Sequence, residues 1–294
     1  MKSGPIAPVL AIVGVGLIGG SVAAALRARG AVGRVLGVGR QPASLSRALQ
    51  LGLIDEAVTL EQAAARADII LLAMPVGATR TILSELQPHL RPETLVTDTG
   101  STKVNVVADA RVALGAKIGQ FIPGHPIAGA ETVGPDSAEP ALYQDRTVVL
   151  TPLEENCSAD RARLTQLWEN CGARVMLMDA QQHDAILASV SHVPHLLSSV
   201  FMWQVASASN SDLRMALAGS GFRDFTRIAA GSPEVWRDIF LTNRTSILAE
   251  LQEVKAALLQ AEDALEAADG KQLQEFLEHA ALARRFWGSR SGMS

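Results

Sequence analysis

The chain is poor in cysteine, in positive charge and in long apolar runs, and each shortage closes off a class of protein. Cys157 and Cys171 are the only cysteines among 294 residues. Their spacing fits neither a disulfide framework nor a zinc site, so they read as free structural thiols flanking one helix. Lys and Arg number 26 against 30 Asp and Glu, a net charge of −4. That balance excludes a basic nucleic-acid groove, and any clustered arginine must serve something local. The apolar runs, such as Ile69–Met74, fall far short of the roughly 18 residues of a membrane span. Met1–Pro5 leads straight into a strand and not into a signal peptide, so a cytoplasmic enzyme free of membranes is expected.

What is present is an ordinary globular composition, 48% hydrophobic and 19% charged, long enough for two domains. From Val9 to about Leu150, short apolar runs alternate with Ala-rich helical stretches. The runs are Val9–Val13, Arg34–Val38, Asp68–Ala73, Thr94–Thr97 and Lys117–Ile122. They read as parallel strands buried on both faces, and right-handed crossovers then give a doubly wound, Rossmann-type α/β sheet. Thr147–Leu150, a helix through Leu164–Cys171, and Arg174–Met178 are expected to extend the same sheet. After Asp179 only helical spacing remains, with a break at Asp269-Gly270 between two last helices. The expected organisation is a dinucleotide-binding domain over residues 1–179 and an all-helical substrate and dimerisation domain over 180–294, in a homodimer.

Gly14-Val-Gly-Leu-Ile-Gly19 follows the first strand and opens a helix over Leu17–Arg29. Gly14 permits the tight turn, Gly16 lets backbone approach a pyrophosphate, and Gly19 allows close helix packing. Leu17 and Ile18 begin the helix whose free N–H groups face the phosphates. The acid that usually binds an adenosine ribose is missing, because the second strand ends Gly37-Val-Gly39-Arg40. Arg40 can pair with a 2′-phosphate instead, and Ser44 can add a hydroxyl, so NADP is expected, with NAD possible.

Three segments lie just past strand ends, where ligands of such sheets sit. They are Ala73-Met-Pro75-Val76, Asp98-Thr-Gly-Ser101 and Gly124-His125-Pro-Ile-Ala-Gly129. A neutral His125 can take the hydrogen of a hydroxyl that becomes a carbonyl on hydride loss, with Ser101 orienting it. In Ser191-His-Val-Pro-His195, Ser191 and His195 fall i,i+4 on one face and Pro194 kinks the helix. His192 is either a satisfied core residue or a neighbour of His195 in a metal pair, but no third ligand has recognisable spacing, so no metal is expected. Arg223 and Arg227, one turn apart, either pair with Asp224 or Glu234 or capture a carboxylate. Trp236, in a helix begun by Pro233, packs in the core or walls a pocket.

Taken together, GVGLIGGS at Gly14–Ser21, DTGSTK at Asp98–Lys103, GHPIAG at Gly124–Gly129, SHVPH at Ser191–His195 and GFRDFTRI at Gly221–Ile228 resemble the prephenate/arogenate dehydrogenase family of tyrosine biosynthesis. Pro233–Asn243, with Trp236, Asp238 and Asn243, completes the series in the family's order. The resemblance implies oxidative decarboxylation of a cyclohexadienol, with hydride passing from the hydroxyl-bearing ring carbon to a nicotinamide. It implies His125 as the catalytic group on that hydroxyl with Ser101 beside it, and Arg227 on the ring carboxylate. His195 and Ser191 would be substrate-side polar groups, Trp236 and Glu131 would line the substrate region, and Arg223 would reach the neighbouring subunit's pocket. The family often has Asp where Gly39 stands, which again favours NADP. A fused chorismate mutase or ACT domain is not expected. Prephenate and arogenate, which differ only at the side chain, both remain open as substrates. A non-catalytic NADP-binding sensor and a β-hydroxyacid dehydrogenase share the two-domain plan. The latter class relies on a Lys in its helical domain, and no Lys lies between Lys117 and Lys255.

Overall fold

Strand β1 (Ala7–Val13) shows why the main sheet is buried on both sides. Side chains alternate across a strand, and here Leu10 and Ile12 enter one apolar cluster while Ala11 and Val13 enter another. Strand β4 (Ile69–Leu72) repeats the division, Ile69 and Leu71 against Ile70 and Leu72. Both faces are therefore covered by helices, which is why these runs carry no polar alternation.

In the computed structural model, which describes residues 5–129 and 132–291, six parallel strands form this sheet. With β2 (Val32–Val38), β3 (Glu56–Ala57), β5 (Leu95–Asp98) and β6 (Phe121–Ile122), the order is β3-β2-β1-β4-β5-β6. The chain reverses direction across the sheet between β1 and β4, and the crevice at their carboxyl ends is where such sheets bind ligands.

The expectation that Thr147–Leu150 and Arg174–Met178 extend this sheet is corrected. They form β8 (Thr147–Leu150) and β9 (Arg174–Leu177), which join β7 (Gly124–Pro126) in a second, three-stranded sheet. Strand β7 runs antiparallel to β8, with His125 opposite Val149, and β9 runs parallel to β8. The break falls at Pro123, which has no N–H to continue the first ladder. The Gly124 N–H then goes to the Asp98 carboxylate (3.0 Å) instead of to a strand. The segment around His125, expected just past a strand end, thus begins as a strand of its own.

Cys157 and Cys171 do bracket one helix, as its N-cap and C-cap, and both are free thiols. After β9 every element among the described residues is helical. Asp179 caps the Ala180–Leu187 helix by accepting from the Gln182 N–H at 2.7 Å. A π turn at Ala188–His192 leads into the helix Val193–Ala206. By length and mean hydropathy the continuous stretch Ala180–Ala206 is the one described helix capable of crossing a membrane. It instead carries the buried His183, Asp184, His192 and His195.

By internal contacts the chain divides into two compact units, Met1–Arg244 and Thr245–Ser294. The first contains both sheets and the helices through Pro233–Thr242. The second is helical, with the expected break between Glu266 and Gly270.

Candidate active site

A cleft of about 840 Å³ opens at the switch point of the main sheet. One wall is the glycine turn. Gly14 has φ +98°, and a Cβ there would lie 2.4 Å from the Ala73 carbonyl oxygen, so the β1–β4 approach requires glycine. Gly19 is excluded from any larger residue by the Gly14 carbonyl oxygen, 2.4 Å from its would-be Cβ. Gly16 differs, because its nearest neighbour on that side is 4.0 Å away. No side chain caps the Leu17–Ala28 helix at Gly16, so the first N–H groups and the positive end of the helix dipole face the cleft. These residues fit a dinucleotide pyrophosphate. Gly16, Leu17, Ile18, Pro75, Val76 and Ser101 all line this side. Val38 pairs with Val13, so Gly39 and Arg40 leave the sheet beside the glycine turn, and Arg40 also faces the cleft.

The opposite wall comes from the helical segment of the same unit. Arg227, Ile228, Gly231, Trp236 and His195 line it. His195 and Trp236 stack nearly parallel, ring centroids 3.4 Å apart. Burial against the indole pushes the His195 imidazole down to about 4, so it is neutral at pH 7. A hydrogen bond between the Thr102 and Thr242 hydroxyls (3.0 Å) fastens the Ser101 loop to the Pro233–Thr242 helix.

Behind Ser101 lies a buried polar network. The Asp98 carboxylate accepts from the N–H groups of Gly100 (2.8 Å) and Gly124 (3.0 Å) and from the Lys103 ammonium. Lys103 also donates to the Gly124 carbonyl at 2.6 Å. Burial drives the Lys103 pKa down, opposed by the adjacent Asp98 charge. The Asp184 carboxylate accepts from the N–H groups of Lys103 (2.8 Å) and Val104 (2.9 Å) and from His183 Nδ1 (2.7 Å). His183 Nε2 in turn meets His125 Nδ1 at 2.9 Å. Asn243 Nδ2 donates to the Asp184 carbonyl (2.7 Å) and to His192 Nδ1 (3.0 Å). Burial, then the neighbouring His183 and Lys103, hold the His125 pKa well below the usual imidazole range. Burial also lowers His192 to about 4, against the opposing pull of Asp184.

Apart from Gly14 and Gly19, which shape the turn, and Glu131, the residues expected from sequence separate into three groups. Gly16, Leu17, Ile18, Arg40, Pro75, Val76, Ser101, His195, Arg227 and Trp236 share the cleft. His125 sits just beneath it, 8% exposed. Ser191, Ser44 and Arg223 are not brought into it. The π turn at 188–192 closes with the Val193 N–H on the Ala188 carbonyl, one residue wider than an α turn. Ser191 lies within that wider turn, while His195 lines the cleft from the α-helix that follows. The Ser44 hydroxyl turns back to the Gln41 side-chain oxygen at 3.4 Å. Arg223 lines a second cleft of about 580 Å³ with Phe222 and Met202, and Arg227 borders both clefts. Glu131 lies outside the described residues. No cluster of metal ligands occurs among the described residues. Sequence reasoning missed His183 and Asp184, whose run Ala180-Gln-Gln-His-Asp184 has the polarity of an exposed first helical turn.

Comparisons with known proteins agree with this geometry. The family model described as prephenate dehydrogenase, nucleotide-binding domain, matches residues 22–177, and that for prephenate dehydrogenase, dimerization domain, matches residues 179–279. The chain is 35% identical to the cyclohexadienyl dehydrogenase of Zymomonas mobilis, over 94% of each protein. It is 33% identical to the prephenate dehydrogenase of Lactococcus lactis, over 93% of this chain and 76% of that one. Among solved structures, prephenate dehydrogenase from Aquifex aeolicus in complex with hydroxyphenyl propionate and NAD+ superposes with a TM-score of 0.88. It is 33% identical, and the match covers 97% of this chain and 98% of that one. Synechocystis arogenate dehydrogenase matches with a TM-score of 0.81 at 32% identity, over 95% and 99% of the two chains. Glycine turn, cleft and helical wall thus stand in a known order, and the chain belongs to the prephenate dehydrogenase family of NAD(P)-dependent oxidoreductases.

Proposed function

We propose that this chain carries out the oxidative decarboxylation of prephenate to 4-hydroxyphenylpyruvate in cytoplasmic tyrosine biosynthesis, with NADP as its preferred cofactor. The observation that carries the reading is one cleft joining the uncapped helix start at Gly16–Ile18, through Ser101, to Arg227, His195 and Trp236. A nicotinamide, when bound, supplies the acceptor for the hydride of the hydroxyl-bearing ring carbon. The chain's own work is alignment and proton handling. Arg227 offers a guanidinium fork to the ring carboxylate. Ser101 orients the ring hydroxyl, and a neutral His125 takes its hydrogen as the carbonyl forms. The CO2 leaves as the ring aromatises. Its bonding electrons pass to the carbonyl oxygen, which takes back the hydrogen held by His125, so no acid is needed at the carboxylate. His195, stacked on Trp236, bounds the substrate with an uncharged polar edge. Glu131 and Ser191 are assigned to the substrate region by family resemblance alone.

The preference for NADP rests on the missing acid after β2 and on Arg40 at the cleft edge. Arg40→Asp should move preference from NADP towards NAD, and an unchanged ratio refutes the assignment. Use of arogenate as a second substrate is favoured by the likeness to a cyclohexadienyl and an arogenate dehydrogenase. The homodimer is supported by the dimerization-domain match and by exposed Phe201, Trp203 and Leu213 on helices of the first unit, with Leu217 just after the last of them. We assign the functional division to residue 179, where β9 gives way to helix, and Arg223 to the neighbouring subunit's pocket. Steady-state rates with prephenate and arogenate, each with NAD and NADP, test the reading. Turnover with none of the four pairs sinks it.

A further inference from the structure

The geometry points to His183, held by Asp184, as a positioning residue that fixes which ring nitrogen of His125 carries the proton. It rests on the reading of His125 as the group that takes the substrate's hydroxyl hydrogen. His183 is wholly buried and does not line the cleft, so it cannot touch substrate.

The argument is one of donors and acceptors. The ionised Asp184 carboxylate can only accept, and two of its bonds already come from the backbone N–H groups of Lys103 and Val104. The contact of 2.7 Å from His183 Nδ1 to the same carboxylate therefore places a hydrogen on Nδ1. A neutral imidazole with hydrogen on Nδ1 has a bare Nε2, which can only accept. His125 Nδ1 lies 2.9 Å from that atom and so must donate. Its own Nε2 is then left unprotonated. Among the described residues the Nδ1 contact is the single hydrogen bond the His125 side chain makes. Nε2 remains for the ring hydroxyl.

The order carboxylate, imidazole, imidazole thus does for His125 what an orienting partner does for any catalytic histidine: the bond made by one nitrogen sets the state of the other. Without it, His125 could carry its proton on Nε2, where it would oppose the hydroxyl instead of accepting from it. A charged His183 would reverse the final bond and give that same unproductive form. Asp184 has a second task, capping the Val104–Leu114 helix, so its replacement confounds positioning with folding. His183 has no such second bond.

The experiment uses the full chain labelled with 15N-histidine at neutral pH, with His125 signals assigned by their loss in His125→Asn. Long-range 1H–15N correlation should show a hydrogen-bearing Nδ1 and a bare Nε2 on His125. His183→Phe keeps a ring but removes the acceptor. It should move the His125 proton to Nε2 and lower kcat roughly 100- to 10,000-fold, the range of lost general-base assistance, with KM little changed. His183→Gln, whose Oε1 can accept the same bond, should recover most of the turnover. A bare Nδ1 on wild-type His125, full turnover in His183→Phe, or no recovery in His183→Gln each overturns the assignment. The wild-type spectrum decides even where a variant fails to fold. It also stands apart from the functional reading: a protein inactive on all four substrate–cofactor pairs sinks that reading, while the ring nitrogens still report on His183.

Discussion

The His195 imidazole lies flat on the Trp236 indole, centroids 3.4 Å apart and planes 14° from parallel. The stack is possible because Gly231 stands against its edge. A Cβ there would come 2.6 Å from Trp236 Nε1 and 3.1 Å from His195 Cε1. Gly231→Ala should therefore slide the two rings apart at a cost of about 1–3 kcal/mol. Because both rings line the cleft, that cost should appear mainly in substrate affinity. Steady-state kinetics would check it: KM should rise roughly 5- to 150-fold by that energy, with cofactor affinity held. An unchanged KM would mean the stack does not shape the substrate's place.

Arg227 and Arg223 differ in position although they are one helical turn apart. Arg227 borders both clefts and Arg223 only the smaller one. Arg227→Ala should cost about 2–5 kcal/mol of substrate binding, the usual loss of one partner of a charge pair. KM should rise far more than kcat falls if the guanidinium serves to bind the carboxylate before it leaves as CO2. Arg223→Ala should show its loss only in assembled protein. Comparing KM with mass by light scattering separates the two, and a larger effect from Arg223 in a monomer would reverse their roles.

Much of this arrangement is legible in the sequence because it depends on local periodicity. The β1 and β4 runs are apolar at successive positions since both faces are buried, and the glycine turn follows at a fixed offset. The second sheet is not legible, because β7 has only three residues and its partner is decided by a proline and by the Asp98 carboxylate. The place of Ser191 is not legible for a related reason: an i,i+4 rule assumes an α-helix, and a wider π turn lies ahead of Pro194. The buried network of Asp98, Lys103, His183 and Asp184 was hidden by polarity itself. Residues that look solvated in sequence are buried here because they satisfy one another across elements far apart in the chain.

His125, His192 and His195 should not titrate near neutrality. His192 and His195 are lowered to about 4, and His125 is held well below its ordinary value. The folded state thus disfavours protonation, and the unfolded chain binds more protons between about 6.5 and 4. The stability they contribute is full above pH 6.5 and is lost as pH falls towards 4. Urea unfolding across that window should show a falling midpoint, and kcat should show no inflection near 6.5. A histidine-like inflection there that persists in His183→Gln would assign the catalytic proton to a group other than His125.

Lys103 offers the most severe test of the network beneath the site. Its side chain is fully buried and bonded to Asp98 and to the Gly124 carbonyl. Lys103→Met keeps the stem but removes the charge, leaving the buried Asp98 carboxylate with only the Gly100 and Gly124 N–H groups. Breaking a buried pair in this way costs about 3–5 kcal/mol, more than a surface pair of the same kind. Asp98 also holds Gly124, the residue before His125, so the loss should reach the catalytic strand before the protein unfolds globally. Hydrogen exchange at Gly124 and His125 should accelerate more than exchange in β1 and β4. Equal acceleration throughout would mean that Lys103 supports the fold as a whole and not the placement of His125. Adding Asp98→Asn should recover part of the stability, because the stranded charge is then gone.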